Sequence, residues 1–446
     1  MDMVINIKER TMVKPAKETP RDPIWLSNLD LMTTSVHITN IYLYRNNGAA
    51  NFFDTELLKH ALAKVLVPFY PLAGRLRYDN DGRLEINCNS EGVLFMVAET
   101  NSVMDDLGEC APTVELLKLT PFIDRSAGIS SFPLLAALIT RFKCGAVCVG
   151  FSNQHRLADG TAAMYFVNAW SEVSRGLELS QAPILDRALL RARHPPQSNF
   201  DHIEYKQAPP PPPTLSKPTQ QEQQHNPIVR VFKLTRDQIK VIKAKSQQSG
   251  TNNYSTFEIL STHIWKCASK ARSLPSDQVT KLFTLINGRD KLDPPLPPHL
   301  FANVLYATST VVTVADLVDN PTSYGASKIR QTLVQMDNNY LRSAIDYLEL
   351  RPNLINGPGR GAEVFKSPNF GIVCWIGLPM YGSDFGWGRP FYVSPVGLRL
   401  EGKAYILPPG PVYNGNLFVA IALQSEHMKV FEKLLYDDVR VGKSAL

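Results

Sequence analysis

A proline- and glutamine-rich segment near the middle of the chain limits the folds that the sequence can adopt. The segment extends from residue 193 to residue 227, with consecutive prolines at 209–213 followed by a glutamine-rich stretch. Such a composition cannot bury an apolar core and favours extended polyproline II backbone, so we interpret it as a crossover linker. A docking site for a PxxP-binding protein is the alternative. The linker separates residues 1–192 from residues 228–446, and each segment has the size of a domain.

Both segments mix helix signals with strand signals. The strongest are a helix capped by Asp54, buried strands at 133–139, 145–151 and 416–423, a capping box at 255–258 and an amphipathic helix at 425–436. No short-period repeat is present. The sequence therefore predicts an α/β fold with two lobes, each a mixed β-sheet with helices.

The composition excludes several classes of function. The net charge of +6 is spread along the 446 residues, and no basic patch is interleaved with aromatic residues as nucleic-acid binding requires. No stretch approaches the roughly 18 apolar residues that cross a bilayer. The N-terminal residues alternate and carry charge, so we expect no signal peptide and a cytoplasmic location. We also expect a monomer. The six cysteines contain no CxxC pair, which predicts reduced thiols and no metal site.

One short motif carries a group suited to catalysis. The predicted strand at 145–151 leads almost directly into Gln154-His155, and Asp159-Gly160 then opens a helical pattern. This order places an imidazole at the end of a strand, where ligand crevices open, and imidazole can accept a proton near neutral pH. Asp159 could orient the imidazole or hold the turn by pairing with a base elsewhere. Taken alone, the H-x-x-x-D spacing is more typical of a core histidine and an N-cap aspartate.

A second motif lies near the end of the chain, at Asp384-Phe385-Gly386-Trp387-Gly388. Two glycines that flank a tryptophan indicate backbone packed tightly in a turn, with a hinge beside a pocket as the alternative. Taken alone, this motif predicts a structural turn around a buried aromatic side chain.

Together, the two motifs resemble the signatures of the BAHD acyltransferase family in their order and separation. The resemblance extends over the whole chain and includes residues 51–54, 68–76, 287–289 and 420–428. Within the family, the chain is most similar to hydroxycinnamoyl-CoA shikimate and quinate transferases. The resemblance implies the fold of coenzyme A-dependent acyltransferases, in which a channel between two similar lobes admits coenzyme A from one face and the acceptor from the other.

The resemblance also implies roles for particular residues. His155 matches the general base that deprotonates the acceptor, with acyl-CoA as a cosubstrate and no other cofactor. Trp375 matches a tryptophan whose indole N–H could stabilise the tetrahedral oxyanion. Ser255 and Thr256 match a region beside the pantetheine arm, although a capping box explains Ser255 equally well. Structural roles are implied for an ion pair between Asp159 and Arg289 and for Asp384 and Trp387.

The substrate pockets match the shikimate and quinate enzymes only in part. Arg360 matches an arginine that binds the acceptor carboxylate at two points, and a surface arginine in a glycine-rich loop is the alternative. Val373 replaces a pocket threonine, and Arg156 replaces the second histidine that usually follows the catalytic one. Beside the acyl group, the matching residues are Ile38 and Asn40, which replace a threonine and a serine, and Tyr42.

We therefore expect transfer of a hydroxycinnamoyl group from coenzyme A to an alcohol, with a hydroxy acid like shikimate or quinate favoured, in plant phenylpropanoid metabolism. One rival is an amide-forming enzyme, in which Ile38 and Val373 line a less polar pocket for an amine. Another rival is a protein that binds coenzyme A esters without turnover, which the intact His155, Asp159 and Arg289 argue against. The sequence contains no G-x-S-x-G elbow and no Walker phosphate loop.

Overall fold

The computed structural model describes residues 3–107, 115–206, 227–247, 253–355, 364–408, 410–411, 415–437 and 439. These residues contain fifteen strands: β1 Ile5–Val13, β2 Ile24–Trp25, β3 His37–Tyr44, β4 Arg75–Tyr78, β5 Leu84–Asn87, β6 Val93–Thr100, β7 Leu135–Arg141, β8 Val147–Gln154, β9 Ile228–Leu234, β10 Val279–Asn287, β11 Leu305–Thr313, β12 Phe370–Cys374, β13 Tyr392–Pro395, β14 Lys403–Leu407 and β15 Leu417–Leu423.

The described residues also contain ten α-helices: α1 Asn28–Met32, α2 Thr55–Val65, α3 Gly160–Ser174, α4 Arg236–Gln247, α5 Thr256–Ala271, α6 Val314–Asp319, α7 Thr322–Gln335, α8 Asn338–Glu349, α9 Pro352–Ile355 and α10 Ser425–Asp437. Single 3₁₀ turns occur between them, at Tyr70–Ala73, Met104–Leu107, Glu115–Leu119, Arg187–Leu190 and Ile203–Tyr205. Within the described ranges, no helix combines the length and apolar character that a membrane span needs.

Two six-stranded mixed sheets form the framework, which confirms the predicted α/β class with two lobes. The first sheet has the strand order β1-β6-β7-β8-β3-β13, and the second has the order β11-β10-β12-β14-β15-β9. Each sheet contains parallel pairs, β6 with β7 in the first and β10 with β12 and β12 with β14 in the second. The remaining neighbours are antiparallel, and β2, β5 and β4 make a separate three-stranded sheet.

The helices cover the sheets through two main apolar clusters. Helices α2 and α3 contribute to a cluster that joins the first sheet to residues of the second segment, such as Phe301, Leu407 and Ala420. Helices α5 and α10 seal one face of the second sheet in a separate cluster. The opposite face of the second sheet, which carries Val373 and Tyr405, packs against the shared cluster. The two sheets therefore meet through one continuous apolar interior, which is the main stabilising contribution in a chain of this size.

Strand β13 crosses from one segment of the chain to the sheet of the other. It pairs antiparallel with β3, with Tyr392 opposite Leu43 and Pro395 opposite Asn40. Proline lacks a backbone N–H, so it is tolerated in the outermost strand of a sheet, where β13 lies. The two segments of the chain therefore share the first sheet.

Several helices and strands that the sequence predicts are confirmed. Asp54 caps α2 by accepting hydrogen bonds from two backbone N–H groups, and the predicted strand at 145–151 is β8, which extends further to Gln154. Ser255 and Glu258 form the predicted capping box of α5, and the predicted C-terminal helix is α10.

The first part of the predicted linker is docked on the protein. The backbone N–H of Arg193 donates to Asp346 Oδ1 at 2.8 Å, and the Arg193 Nε donates to Asp346 Oδ2 at 2.7 Å. His202 Nε2 lies 2.9 Å from Ser343 Oγ, so a second point of the segment is attached to α8. Residues 207–226, which include the proline run, lie outside the described residues.

Candidate active site

His155 lies in the turn between β8 and α3. Its backbone N–H donates to the carbonyl oxygen of Val36 at 2.9 Å, and its own carbonyl oxygen accepts from the Asn303 side-chain amide at 2.9 Å. Both bonds fix the backbone of His155 and leave its ring available. The side chain is half-buried at the end of the strand, which is the position that the sequence predicts.

Asp159 holds this turn from behind. It caps α3 by accepting from the backbone N–H of Ala162, and its Oδ2 lies 2.7 Å from Arg289 Nη1 and 3.0 Å from the backbone nitrogen of Val304. Both charged side chains of the pair are almost fully buried, with 0% and 2% of their surfaces exposed. Since every bond of Asp159 leads away from the imidazole of His155, the geometry favours holding the turn over orienting the base.

Arg289 extends the network into the second segment of the chain. It lies two residues after the end of β10, and its Nη2 donates to the carbonyl oxygens of Leu300 and Ala302 at 3.1 and 3.0 Å. A buried guanidinium is expensive to desolvate unless its donors are satisfied. The carboxylate and these carbonyls satisfy Nη1 and Nη2, whereas Nε has no partner among the described residues. The predicted pair is present and connects the catalytic motif to the other lobe.

A second buried ion pair supports the same turn. Asp30 accepts from the backbone and side chain of Asn303 at 2.9 Å each, and its Oδ1 lies 2.6 Å from Arg187 Nη1. Arg187 in turn donates to the carbonyl oxygen of Leu157 at 2.7 Å. Asn303 therefore joins Asp30 to the carbonyl of His155, and the turn is held by two buried carboxylates rather than one.

The His155 imidazole favours its neutral form. Burial lowers its pKa, and the positive charge of Lys403 lowers it further, whereas Asp159 and nearby backbone groups act in the opposite direction. Its Nδ1 is shielded from solvent and makes no hydrogen bond of ordinary geometry with a described residue. The Nε2 atom is therefore the ring nitrogen that remains to accept a proton.

Strands β12 and β14 of the second sheet carry the facing residues. Trp375 directly follows β12, with its backbone N–H bonded to Ile406 at 2.8 Å, and its ring packs edge-on against Tyr405 at 5.7 Å. The indole is 7% exposed and belongs to the same apolar cluster as Leu157 and Ala158. No described residue accepts a hydrogen bond from its N–H, so this donor remains available to a ligand.

Strand β3 aligns three of the predicted acyl-pocket residues. Ile38, Asn40 and Tyr42 occupy every second position of the strand, so they share one face of the sheet. They lie opposite Asn153, Phe151 and Val149 of β8. Tyr42 is fully buried, which raises the pKa of its phenol. The Oδ1 atoms of Asn40 and Asn153 are buried without a hydrogen-bond partner among the described residues, as expected of polar groups that meet a ligand or water.

Arg156 is a buried cation beside the catalytic motif. Only 8% of its surface is exposed, and no carboxylate of the described residues pairs with it. Burial lowers the pKa of its guanidinium, and Tyr78 at the end of β4 acts against this shift. The side chain is thus directed toward the small three-stranded sheet.

Ser255 and Thr256 begin α5, at the edge of a cationic cavity. The Ser255 hydroxyl accepts from the backbone N–H of Glu258 at 3.2 Å, so the capping interpretation accounts for this residue. Thr256 lines a cavity of about 320 Å³ whose other lining residues include Arg236, Lys240, Lys243 and Ile376. Ile376 directly follows Trp375 in the chain, although Trp375 itself does not line the cavity.

The second motif is a turn against the first sheet. Asp384 Oδ1 accepts from the backbone N–H groups of Gly386 and Gly388 at 2.9 and 3.0 Å, and both glycines have φ near +103°, a conformation that disfavours other residues. The Trp387 ring packs against Phe53 at 5.0 Å. The turn therefore anchors the start of β13, and neither Asp384 nor Trp387 contacts the turn at His155.

Arg360, the predicted carboxylate-binding residue, lies outside the described residues. Within the described ranges, no group of three or more histidine, cysteine or acidic side chains is arranged to hold a metal ion.

Comparison with known proteins places the chain in a family. A profile of the "Transferase family" matches residues 3–438. Shikimate O-hydroxycinnamoyltransferase of Nicotiana tabacum is 50% identical over 98% of this chain and 100% of its own length. Hydroxycinnamoyl-CoA:5-hydroxyanthranilate N-hydroxycinnamoyltransferase HHT4 of Avena sativa is 44% identical over the same shares.

Solved structures share the same architecture. Vinorine synthase superposes with a TM-score of 0.74 at 22% identity and covers 98% of each chain. The TRI101 protein of F. graminearum, in a complex with coenzyme A and T-2 mycotoxin, superposes with a TM-score of 0.72 at 17% identity over 92% of this chain and 96% of that one. The fold is that of coenzyme A-dependent acyltransferases. The chain belongs to the transferase family, as a BAHD acyltransferase.

The sequence did not predict three residues that lie at the site. Asp30 and Asn303 hold the carbonyl side of the catalytic turn, and Lys403 acts on His155 from the facing strand. The spacing of Ser27 and Asp30 is a capping box, which the structure confirms, and this signal could have located α1. It could not have indicated that Asp30 also binds Asn303, because that contact joins residues far apart in sequence.

Proposed function

We propose that this protein transfers a hydroxycinnamoyl group from its coenzyme A thioester to a hydroxyl group of a small hydroxy acid, forming an ester. The observation that carries the proposal is the neutral, half-buried His155, whose backbone is fixed by two hydrogen bonds while Nε2 remains available. A general base must be uncharged at the operating pH and held in position, and the lowered pKa of His155 and its two backbone hydrogen bonds support this role.

The reaction needs only groups that this site offers. His155 Nε2 takes the proton of the acceptor hydroxyl as its oxygen attacks the thioester carbonyl, which gives a tetrahedral oxyanion. The indole N–H of Trp375 is the donor that would stabilise this oxyanion. When the C–S bond breaks, the thiolate leaves and receives the proton from His155, so the histidine returns to its neutral form and no covalent enzyme intermediate is required.

The cavity beside Thr256 suits the phosphates of coenzyme A. Arg236, Lys240 and Lys243 lie four and three residues apart on α4, so they share one side of that helix. Together they supply positive charge at the first turn of α5, where backbone N–H groups also attract anions. Because Ile376 of the same cavity adjoins Trp375, a pantetheine arm that starts here can bring its thioester to the tryptophan.

The hydroxycinnamoyl donor and the hydroxy-acid acceptor are supported by the relative from Nicotiana tabacum, whose name states both. On this chain, the acyl group would lie along Ile38, Asn40 and Tyr42, where the buried Asn40 Oδ1, which has no partner among the described residues, can accept a hydrogen bond from a phenolic hydroxyl. Arg360 and Val373 would line the acceptor side.

Amide formation is the second candidate. The relative from Avena sativa is named for transfer to the nitrogen of 5-hydroxyanthranilate, and Ile38 and Val373 make the pocket less polar than a threonine would. The same base and oxyanion donor would serve, with an aromatic N–H in place of the hydroxyl.

The test is a turnover assay with p-coumaroyl-CoA and a panel of acceptors: shikimate, quinate, hydroxyphenyl-lactate, malate, glycerol, 5-hydroxyanthranilate and aliphatic amines. Free-thiol release and product mass are followed for the wild-type enzyme, His155→Ala and Arg360→Ala. We expect an ester of a hydroxy acid, a loss of at least ~100-fold in kcat for His155→Ala, and a higher KM for Arg360→Ala.

Three other results of the turnover assay would contradict the proposal in different ways. Amide products alone would replace the ester proposal with the second candidate. Turnover that does not depend on His155 would remove the general base, and the absence of thiol release with every acceptor would favour a protein that binds coenzyme A esters without turnover.

A further inference from the structure

Lys403 is a cation on the inner face of the second sheet. It begins β14, where Ala404 and Ile406 are fully buried against the helices and Lys403 and Tyr405 alternate with them on the opposite face. That face packs toward the first sheet, since Tyr405 contacts the apolar cluster that both segments share. Lys403 therefore extends from the wall that faces His155.

The ammonium group of Lys403 has aromatic neighbours rather than an acidic one. Its Nζ lies 5.0 Å from the centre of the Tyr405 ring and 5.8 Å from that of Phe365. No carboxylate of the described residues forms an ion pair with it. Glu401, two residues away, is held instead by both of its oxygens to Arg272 Nη2, at 2.8 and 2.9 Å.

The charges of the described residues around His155 do not balance. Among these residues, the main charge effects on the imidazole come from Lys403 and Asp159, with opposite signs. The charge of Asp159 is already compensated by Arg289 at 2.7 Å. Among the described residues, a net positive charge therefore remains at the inner wall, and a half-buried cation that has no carboxylate partner there favours a ligand that brings an anion.

The acceptor is the substrate that can bring this anion. The phosphates of the donor have their own cationic cavity beside Thr256, and the hydroxycinnamoyl group is neutral near pH 7 because its phenol ionises near pH 10. A positively charged amine would be repelled by Lys403, whereas a carboxylate would be attracted. This reasoning is the same for a hydroxy acid and for an aminobenzoate, so it does not depend on whether the product is an ester or an amide.

We propose that Lys403 recognises a carboxylate on the acceptor and selects anionic acceptors over neutral and cationic ones. The inference rests on the proposed acyl transfer and names the substrate class of the same site. It does not require Arg360, although a second cation would act in the same direction. Lys403 is a specificity residue and takes no proton during the reaction.

The experiment compares each acid with its neutral carboxamide, namely shikimate with shikimic carboxamide and 5-hydroxyanthranilate with its amide. The wild-type enzyme, Lys403→Met, Lys403→Arg and Lys281→Met are assayed with p-coumaroyl-CoA. Lys281 is the matched control, because it lies on β10 of the same sheet and its loss changes the net charge equally. We expect Lys403→Met to reduce the acid-to-amide ratio of kcat/KM about tenfold or more, mainly through KM.

Further readouts separate recognition from damage to the fold. Lys403→Arg should retain most of the preference for the acid over the carboxamide, and Lys281→Met should retain all of it. In Lys403→Met, the acid limb of the pH profile of kcat/KM for the carboxamide should move to higher pH, because the charge that lowers the pKa of His155 is gone. If Lys403→Met does not fold, the inference is tested with Lys403→Gln, which should lower the acid-to-amide ratio in the same way. The preference of the wild-type enzyme for the acid over the carboxamide tests it independently.

The inference and the proposed function fail in different ways. An unchanged acid-to-amide ratio in a Lys403 variant that still turns over would overturn the role of Lys403 and leave acyl transfer intact. Equal use of acid and carboxamide by the wild-type enzyme would overturn it as well. Absence of thiol release with every acceptor would overturn both.

Discussion

The two walls of the candidate site are held by different kinds of interaction. The wall that carries His155 is fixed by buried ion pairs and by hydrogen bonds to backbone atoms, contributed by Asp30, Asp159, Arg187 and Arg289. The facing wall of β12 and β14 is held by its own strand pairing and by aromatic packing around Tyr405. Two polar groups of this wall, the Trp375 N–H and the Lys403 ammonium, form no hydrogen bond or ion pair with each other, in contrast to the charged groups behind His155.

This difference corresponds to what each wall has to do. A general base must keep one position, and networks of buried charges and amides specify one arrangement because every alternative leaves a polar group unsatisfied. Groups that meet a ligand must remain unpaired until it arrives. We therefore expect substitutions behind His155 to affect stability first, and substitutions on the facing wall to affect kinetics first.

The largest expected effect comes from breaking the buried pair behind His155. Arg289→Met leaves the Asp159 carboxylate buried without its counter-charge, so we expect a loss of about 3–5 kcal/mol in the free energy of unfolding. The exposed pair between Arg230 and Glu432, at 2.6 Å, is the control, and Glu432→Gln should cost less than about 1 kcal/mol. Denaturant unfolding followed by circular dichroism measures both. Equal losses in the two variants would refute the contrast between the walls.

A smaller effect, confined to kinetics, is expected at Trp375. Trp375→Phe keeps an aromatic ring but removes the N–H, so kcat should fall about a hundredfold with little change in either KM. Trp265→Phe is the matched control, because the indole N–H of Trp265 is already bonded to Thr280 Oγ1 at 3.1 Å in the helix-covered core. Steady-state kinetics with varied donor and acceptor separate the two. A fall in kcat that is equal in both variants would argue against an oxyanion donor at Trp375.

The smallest effect concerns pH and the start of β3. Burial lowers the pKa of His37 to about 4, with Arg125 acting in the same direction, although the ring also lies 2.9 Å from the Pro133 carbonyl. The unfolded chain binds this proton near pH 6.5 and the folded chain does not, so the stability contribution present above pH 6.5 is lost as the pH falls toward 4.

His37→Gln removes this titration and should flatten the decline of the unfolding midpoint between pH 6.5 and 4. His60→Gln, at an exposed position of α2, is the control and should leave the decline unchanged. Thermal unfolding across this pH range provides the measurement. A decline that is identical in the wild-type protein and in His37→Gln would show that His37 protonates equally in both states.

The local features of the fold follow from the sequence, whereas the contacts between the walls do not. The cap at Asp54, the capping box at Ser255 and the strand that leads to His155 depend on neighbouring residues, so their patterns are visible in one sequence. The pairing of Asp159 with Arg289 came from the family resemblance, because no local rule links residues in different segments.

Strand β13 and Lys403 also depend on contacts between residues that are far apart in sequence. Strand β13 was not predicted, since four residues with a terminal proline carry little strand signal and their partner lies in the other segment. Lys403 was overlooked because a lysine at the start of a strand is usually exposed. Its significance depends on which side chains surround it, and in the described part of the chain no carboxylate pairs with it, which only the three-dimensional arrangement reveals.

Strand β13 belongs to the second segment of the chain but completes the sheet of the first, and this affects where the chain could be divided. A polypeptide that ends at residue 206 would contain five strands of the first sheet but leave β3 without its outer neighbour. The backbone from Asn40 to Leu43 would then present unpaired amide and carbonyl groups flanked by apolar side chains, which is a template for intermolecular association. We therefore expect that the segment that ends at residue 206 does not fold as an autonomous module, and that recombination between relatives should keep residues 392–395 together with the β3 that they cover.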